Sequence, residues 1–121
     1  MILITSNKSK QLVYVNYSGR VGPADFQHSR EDFLAQLAEM KPGFRLLSDL
    51  SQLESMDVAC AAELGRMMKL VGEAGAGRVV RVIPDPRKDI GMNILTAFHY
   101  KGRPRPVACD TLPEAAELLG L

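Results

Sequence analysis

Residues 46–65 read LLSDLSQLESMDVACAAELG. Phe44–Leu50 (FRLLSDL) is expected as a short strand that ends on Asp49. Ser51–Met56, rich in polar residues, is expected as a loop. A helix then runs from about Asp57 to Glu73. Cys60, Leu64, Met67, Met68 and Val71 recur at i, i+4, i+7, i+8 and i+11, which places them on one apolar stripe. Asp57 stands where the positive end of the helix dipole favours a carboxylate. Gly72–Gly77 (GEAGAG) stops the helix.

Towards the N-terminus, Met1–Thr5 is apolar and Ser6–Lys10 is a polar turn. Leu12–Tyr17 then alternates, with Val13, Val15 and Tyr17 on one face and Leu12, Tyr14 and Asn16 on the other. Period two marks a strand, and the short polar connection makes a hairpin. Gly22-Pro23 opens a helix, since proline fits a first helical position whose N–H is unpaired anyway. Phe26, Phe33, Leu34, Leu37 and Met40 form its core face, and Pro42-Gly43 ends it.

Towards the C-terminus, Arg78–Ile83 reads as a buried strand. Pro84-Asp85-Pro86 breaks it and starts a third helix, with Ile90, Ile94, Ala97 and Phe98 on its core face. Lys101–Pro106 is a loop and Val107–Cys109 a brief strand. Thr111 and Glu114 have the capping-box spacing of a last helix, whose Ala115, Leu118 and Leu119 close the core. The order β-β-α-β-α-β-α-β-α predicts an α/β fold. Its mixed sheet of four or five strands carries four helices, with parallel pairing reached through right-handed crossovers.

At 121 residues the chain is expected as one domain, 1–121, on the usual range of roughly 100–200 residues. Apolar residues at 46% and charged residues at 24% are globular proportions. A net charge of +1 gives no broad field toward nucleic acid or anionic lipid. Cys60 and Cys109 make neither a disulfide framework nor a zinc set. The first residues lack a signal-peptide pattern, and no run approaches the ~20 apolar residues of a membrane span. The expectation is a reduced, cytoplasmic protein that needs no cofactor.

Asp49 at a strand end resembles a phospho-acceptor of a receiver domain. That chemistry needs acidic residues after the first strand to hold magnesium, and Thr5-Ser6-Asn7 stands there instead. The glycines of residues 72–77 follow a helix and precede a strand, the reverse of a phosphate cradle. His28 and His99 have no second histidine at ligand spacing and read as surface residues. Arg78, Arg81, Arg87, Lys88, Lys101, Arg103 and Arg105 crowd the C-terminal half, partly offset by Asp85 and Asp89. A solvated face is the more common explanation of such a run than a docking patch.

Read with this element order, residues 46–65 resemble the STAS family of anti-sigma-factor antagonists. Asp49-Leu50-Ser51 matches the family's strand end, and Met56-Asp57 the start of its second motif. Val58-Ala59-Cys60-Ala61 stands where Ser-Ser-Gly-Leu is usual. The divergent subgroup related to the sporulation stage II AA antagonist is the nearest match. The resemblance implies a non-catalytic module that binds a protein partner at the strand end and helix start: Asp49, Ser51, Ser55, Met56, Asp57, Val58 and Ala61. It also implies that the phosphorylation switch is missing at residue 58, because valine has no hydroxyl. Ser51 and Ser55 lie nearby with nothing to mark either as a substitute. The alternative class is a carrier of a small apolar ligand, with Met67 and Met68 as adaptable wall residues. Leu70, Val58, Ala62 and Gly65 lie off the apolar stripe, so self-association as a dimer is also expected.

Overall fold

The computed structural model describes residues 1–83, 89–90 and 106–121. The alternation in Leu12–Tyr17 does what its period demands. Val13, Val15 and Tyr17 enter one buried layer, and Leu12 and Tyr14 face the other. β1 (Ile2–Asn7) and β2 (Leu12–Val21) form the antiparallel hairpin, in register from Ile2↔Tyr17 to Asn7↔Leu12. β3 (Arg45–Met56) and β4 (Arg78–Val82) follow in parallel, and β6 (Val107–Cys109) lies parallel beyond β4. The side-by-side order is β1-β2-β3-β4-β6, and the two-residue β5 (Asp89–Ile90) pairs with the far end of β3.

Among the described residues the helices are α1 (Pro23–Ala38), α2 (Ala61–Glu73) and α3 (Leu112–Leu119). The layer holding α1 and α2 packs Phe26, Phe33, Leu37, Cys60, Leu64, Met68 and Val71 onto Val13, Val15, Leu46 and Leu50. On the opposite sheet face, Ala115 and Leu119 of α3 meet Leu47, Val80 and Val82. Thr111 caps α3 by accepting from Glu114 N at 3.3 Å, as its position relative to Glu114 predicts.

Several expectations need correction. Residues 51–56 are not a loop, because β3 runs through them to Met56. Their alternation of buried Leu53 with exposed Gln52 and Glu54 is a half-buried strand pattern, hidden by the polar flanking residues. β2 continues alongside as far as Val21↔Met56, with register shifts at Asn16/Ser18 and Gly19/Arg20. The second helix begins later than expected: Val58–Cys60 is a 3-10 turn, and the α-helix starts at Ala61. The expected third helix lies outside the described residues apart from Asp89 and Ile90, which form β5 opposite Ser55 and Met56. Leu34 and Leu118, placed in the core by periodicity, are exposed. The expected face of solvated cations does not hold at Arg81, which is buried. Arg87, Lys88, Lys101, Arg103 and Arg105 lie outside the described residues.

The glycine run after α2 has a packing role. Gly43 N donates to Gly75 O at 2.7 Å, and Gly77 N donates to Phe44 O at 2.7 Å. A Cβ on Gly77 would stand 2.9 Å from Gly43 O. The two turns at this end of the sheet therefore close onto each other backbone to backbone, which only glycine permits.

Candidate functional site

β2 and β3 end together, and one hydrogen bond ties the ends: Asp57 N donates to Val21 O at 3.0 Å. The chain then turns tightly. Asp57 Oδ1 accepts from Ala59 N at 2.8 Å, and Cys60 N donates to Asp57 O at 2.9 Å. Asp57 is thus an N-cap that satisfies a backbone donor with no partner inside the helix. Cys60 points inward, its Sγ 3.8 Å from Val21 O. Burial, reinforced by the carboxylates of Asp57 and Asp25, pushes its thiol up to about 11, so it is a packing residue and not a nucleophile at neutral pH. With Cys60 anchored, the turn lifts Val58 to the surface, 55% exposed.

Directly beside it, β2 passes into α1. Gly22 N donates to Asp25 Oδ2 at 2.9 Å, closing the first turn. The two helix starts therefore emerge next to each other above the carboxyl ends of two parallel strands, where α/β folds place their binding crevices. Between them lies a concavity of ≈ 470 Å³, lined by Arg20, Val21 and Gly22 on one side and Ser55, Met56, Asp57 and Val58 on the other.

Four of the residues expected at the site meet here: Ser55, Met56, Asp57 and Val58. Met56 is buried and forms the wall; Asp57 and Val58 are exposed at the lip. Ala61, half-buried, opens α2 just behind. Arg20, Val21 and Gly22 were missed, because only the extension of β3 to Met56 brings the end of β2 alongside. Arg20 is the cation of the site, 4.0 Å from Glu54.

Asp49 and Ser51 do not join this surface. Asp49 lies in mid-strand and is 2% exposed. Tyr14 OH donates to its Oδ2 at 2.6 Å, Asn16 Nδ2 at 3.3 Å, and Ser51 N donates to Oδ1 at 2.9 Å. Burial alone would make it a weaker acid, by penalising the charged form. The hydrogen bonds from Ser51, Tyr14 and Asn16 outweigh it and hold the carboxyl below the usual range. The Tyr14 phenol is pushed up, by burial and by the carboxylate it bonds. Asp49 is a buried acceptor that locks β2 to β3.

A second concavity, ≈ 390 Å³, runs between α1 and α2 over Phe26, Phe33, Leu34, Met67 and Leu70. Met67 lines it, whereas Met68 is in the core beneath. Among the described residues no group of three His, Cys, Asp or Glu is placed to hold a metal ion, and no helix is long and apolar enough to cross a membrane.

No protein-family model matches the chain, and no curated protein matches it in sequence. Its fold is that of known proteins. The anti-sigma factor antagonist SpoIIAA in its unphosphorylated form superposes over 100% of both chains with a TM-score of 0.65 at 18% identity. An anti-sigma factor antagonist from Mycobacterium paratuberculosis gives 0.63 at 18% identity, over 100% of this chain and 94% of its own. An uncharacterised DUF3478-family protein with a SpoIIAA-like fold, from Shewanella loihica, gives 0.62 at 15% identity, over 98% and 92%. The chain thus has the STAS-like α/β fold of anti-sigma factor antagonists.

Proposed function

We propose that the chain, as one module over 1–121, is a non-catalytic regulatory STAS-like domain. It binds a protein partner across the concavity between the starts of α1 and α2. The observation that carries this reading is the placement of Val58. A valine held 55% exposed by a capped turn, beside Arg20 and Asp57, gives a partner one apolar contact and two charges on a rigid frame. The likeness to anti-sigma factor antagonists supports a protein as the ligand. No hydroxyl stands at residue 58, so binding is constitutive or is regulated from elsewhere, in a reduced cytoplasmic setting. Asp49 supports the surface from inside without touching the partner.

The test pairs two substitutions with partner capture and melting temperature. Asp57→Asn keeps the cap, since Asn and Asp are comparable N-caps, and weakens a charge-dependent partner. Val58→Glu leaves the fold intact and abolishes an apolar contact. Full binding by both variants, or loss of binding only through unfolding, refutes the surface.

The apolar-carrier reading has one observation in its favour, the groove over Phe26, Phe33, Leu34, Met67 and Leu70. Its volume lies in the range of about 300–1,000 Å³ typical of ligand pockets. A native mass spectrum of the purified protein separates the readings: a retained apolar molecule favours the carrier.

A further inference from the structure

We propose that the α1–α2 groove receives the outer face of α3 from a second copy of the chain, joining molecules head to tail. The inference goes beyond the partner surface at Val58 and does not depend on it. Charge is concentrated at the groove mouth. Glu63 Oε2 accepts from Arg30 Nη2 at 3.2 Å, and its Oε1 accepts from Arg66 Nη2 at 2.8 Å. The carboxylate is nearly covered, its side chain 16% exposed, while the two guanidiniums above it are 54% and 59% exposed. Farther along the groove Lys69 is paired with Glu73 at 4.0 Å, so three cations stand against two carboxylates and the rim is net positive. Each guanidinium carries five N–H donors, so most of them remain directed outward. Below the rim the floor is apolar: Phe26, Phe33, Leu34, Met67 and Leu70.

The complementary surface lies on the same chain. α3, LPEAAELL, contains two glutamates and no cation. Ala115 and Leu119 face the core, which leaves Glu114, Glu117 and Leu118 exposed, followed by exposed Leu121. An apolar ridge flanked by Glu114 and Glu117, with Arg78 beside its C-terminal end, matches an apolar groove whose rim is net positive. Within one molecule the two cannot meet, because α3 packs on the opposite sheet face from α1 and α2. Between molecules the contact is heterologous: each copy offers one groove and one ridge, so association continues from copy to copy and does not close as a two-fold dimer. A single short helix face in one groove is a small contact, below the roughly 1,600 Å² of a standard interface, so the association is weak. Leu70, expected from the sequence to mark a self-association face, is part of the groove floor.

Sedimentation of the full chain over a concentration series is the test. The average mass should rise with concentration at low salt and fall back toward the monomer at high salt, where exposed charges are screened. Leu34→Glu, on the groove, and the double variant Glu117→Lys/Leu118→Lys, on the ridge, should each be monomeric alone. Mixed in equal amounts they should form a dimer and nothing larger, because one supplies the only intact ridge and the other the only intact groove. Should Leu34→Glu lower the melting temperature, Leu34→Ser probes the same contact. Val58→Glu should leave association unchanged. The proposal is overturned by a wild-type monomer at every concentration in low salt, by variants that still associate alone, by a mixture that fails to pair, or by loss of association in Val58→Glu.

Discussion

Arg45 and Arg78 stand opposite each other at the starts of β3 and β4, and together they close the C-terminal end of α3. Arg45 Nη1 donates to Leu119 O at 2.6 Å and Arg78 Nη1 to Leu118 O at 2.7 Å. Arg45 Nη2 also donates to Lys10 O, tying the β1–β2 turn to the same point. These carbonyls belong to the last turn, which has no partners within the helix and carries the negative end of the dipole. Gly120, at φ 72, ends the helix in the left-handed conformation, and Leu121 N donates back to Ala116 O at 2.8 Å.

Removing the more enclosed of the two guanidiniums should be costly. Arg45→Ala should lower unfolding free energy by about 1.5–3 kcal/mol, the range for hydrogen bonds made by charged groups. Arg78→Ala, at an exposed position, should cost less. Urea unfolding followed by circular dichroism measures both; equal small losses would mean that the pair does not hold α3.

Two glycine substitutions should move stability in opposite directions. Gly77→Ala drives a Cβ to 2.9 Å from Gly43 O, where backbone must shift, and should destabilise by about 1–3 kcal/mol, as overpacking does. Gly65→Ala, inside α2 with open space around its Cβ, should stabilise by roughly 0.5–1 kcal/mol through helix propensity. Thermal melts of the two variants give the signs directly.

Asp49 should govern acid sensitivity. Its folded carboxyl is more acidic than the unfolded one, so its stabilisation is present above the unfolded value of about 3.9 and is lost as pH falls through the folded value. Tyr14 is shifted upward, so its contribution is present below about pH 10 and is lost as pH rises beyond it. Asp49→Asn should flatten the acid limb of a stability–pH profile and also weaken the alkaline limb, since the Asp49 carboxylate adds to the burial that raises Tyr14. An unchanged acid limb would remove Asp49 from the account.

Both thiols should be silent in the folded protein. Burial pushes the Cys60 thiol up to about 11, and Cys109 is also raised, mainly by burial with Glu114 adding to it. A thiol reagent near neutral pH should label neither until denaturant is added. Rapid native labelling of either would show that its packing opens.

Local periodicity determined the framework. Val13, Val15 and Tyr17 alternate with Leu12 and Tyr14, and Cys60, Leu64, Met68 and Val71 repeat at helical spacing. Such patterns depend only on a residue's own strand or helix, so they are legible without neighbours. The resemblance carried by Asp49-Leu50-Ser51 and Met56-Asp57 pointed to the STAS-like fold, and the position of Val58 in that motif was readable in the same way. Tertiary structure decided the rest. Ser51–Ser55 is polar enough to pass for a loop, and only pairing with β2 makes it a strand. That extension moves Asp49 from a strand end into the interior, where Tyr14 and Asn16 take its carboxylate. It also brings Arg20 to the lip of the concavity. Arg78 and Arg81, neighbours in a basic run, part company because strand alternation turns one toward the end of α3 and buries the other. Hydrogen-bond partners and exposure are properties of contacts between distant segments, and the order of residues along the chain does not contain those contacts until the sheet assembles.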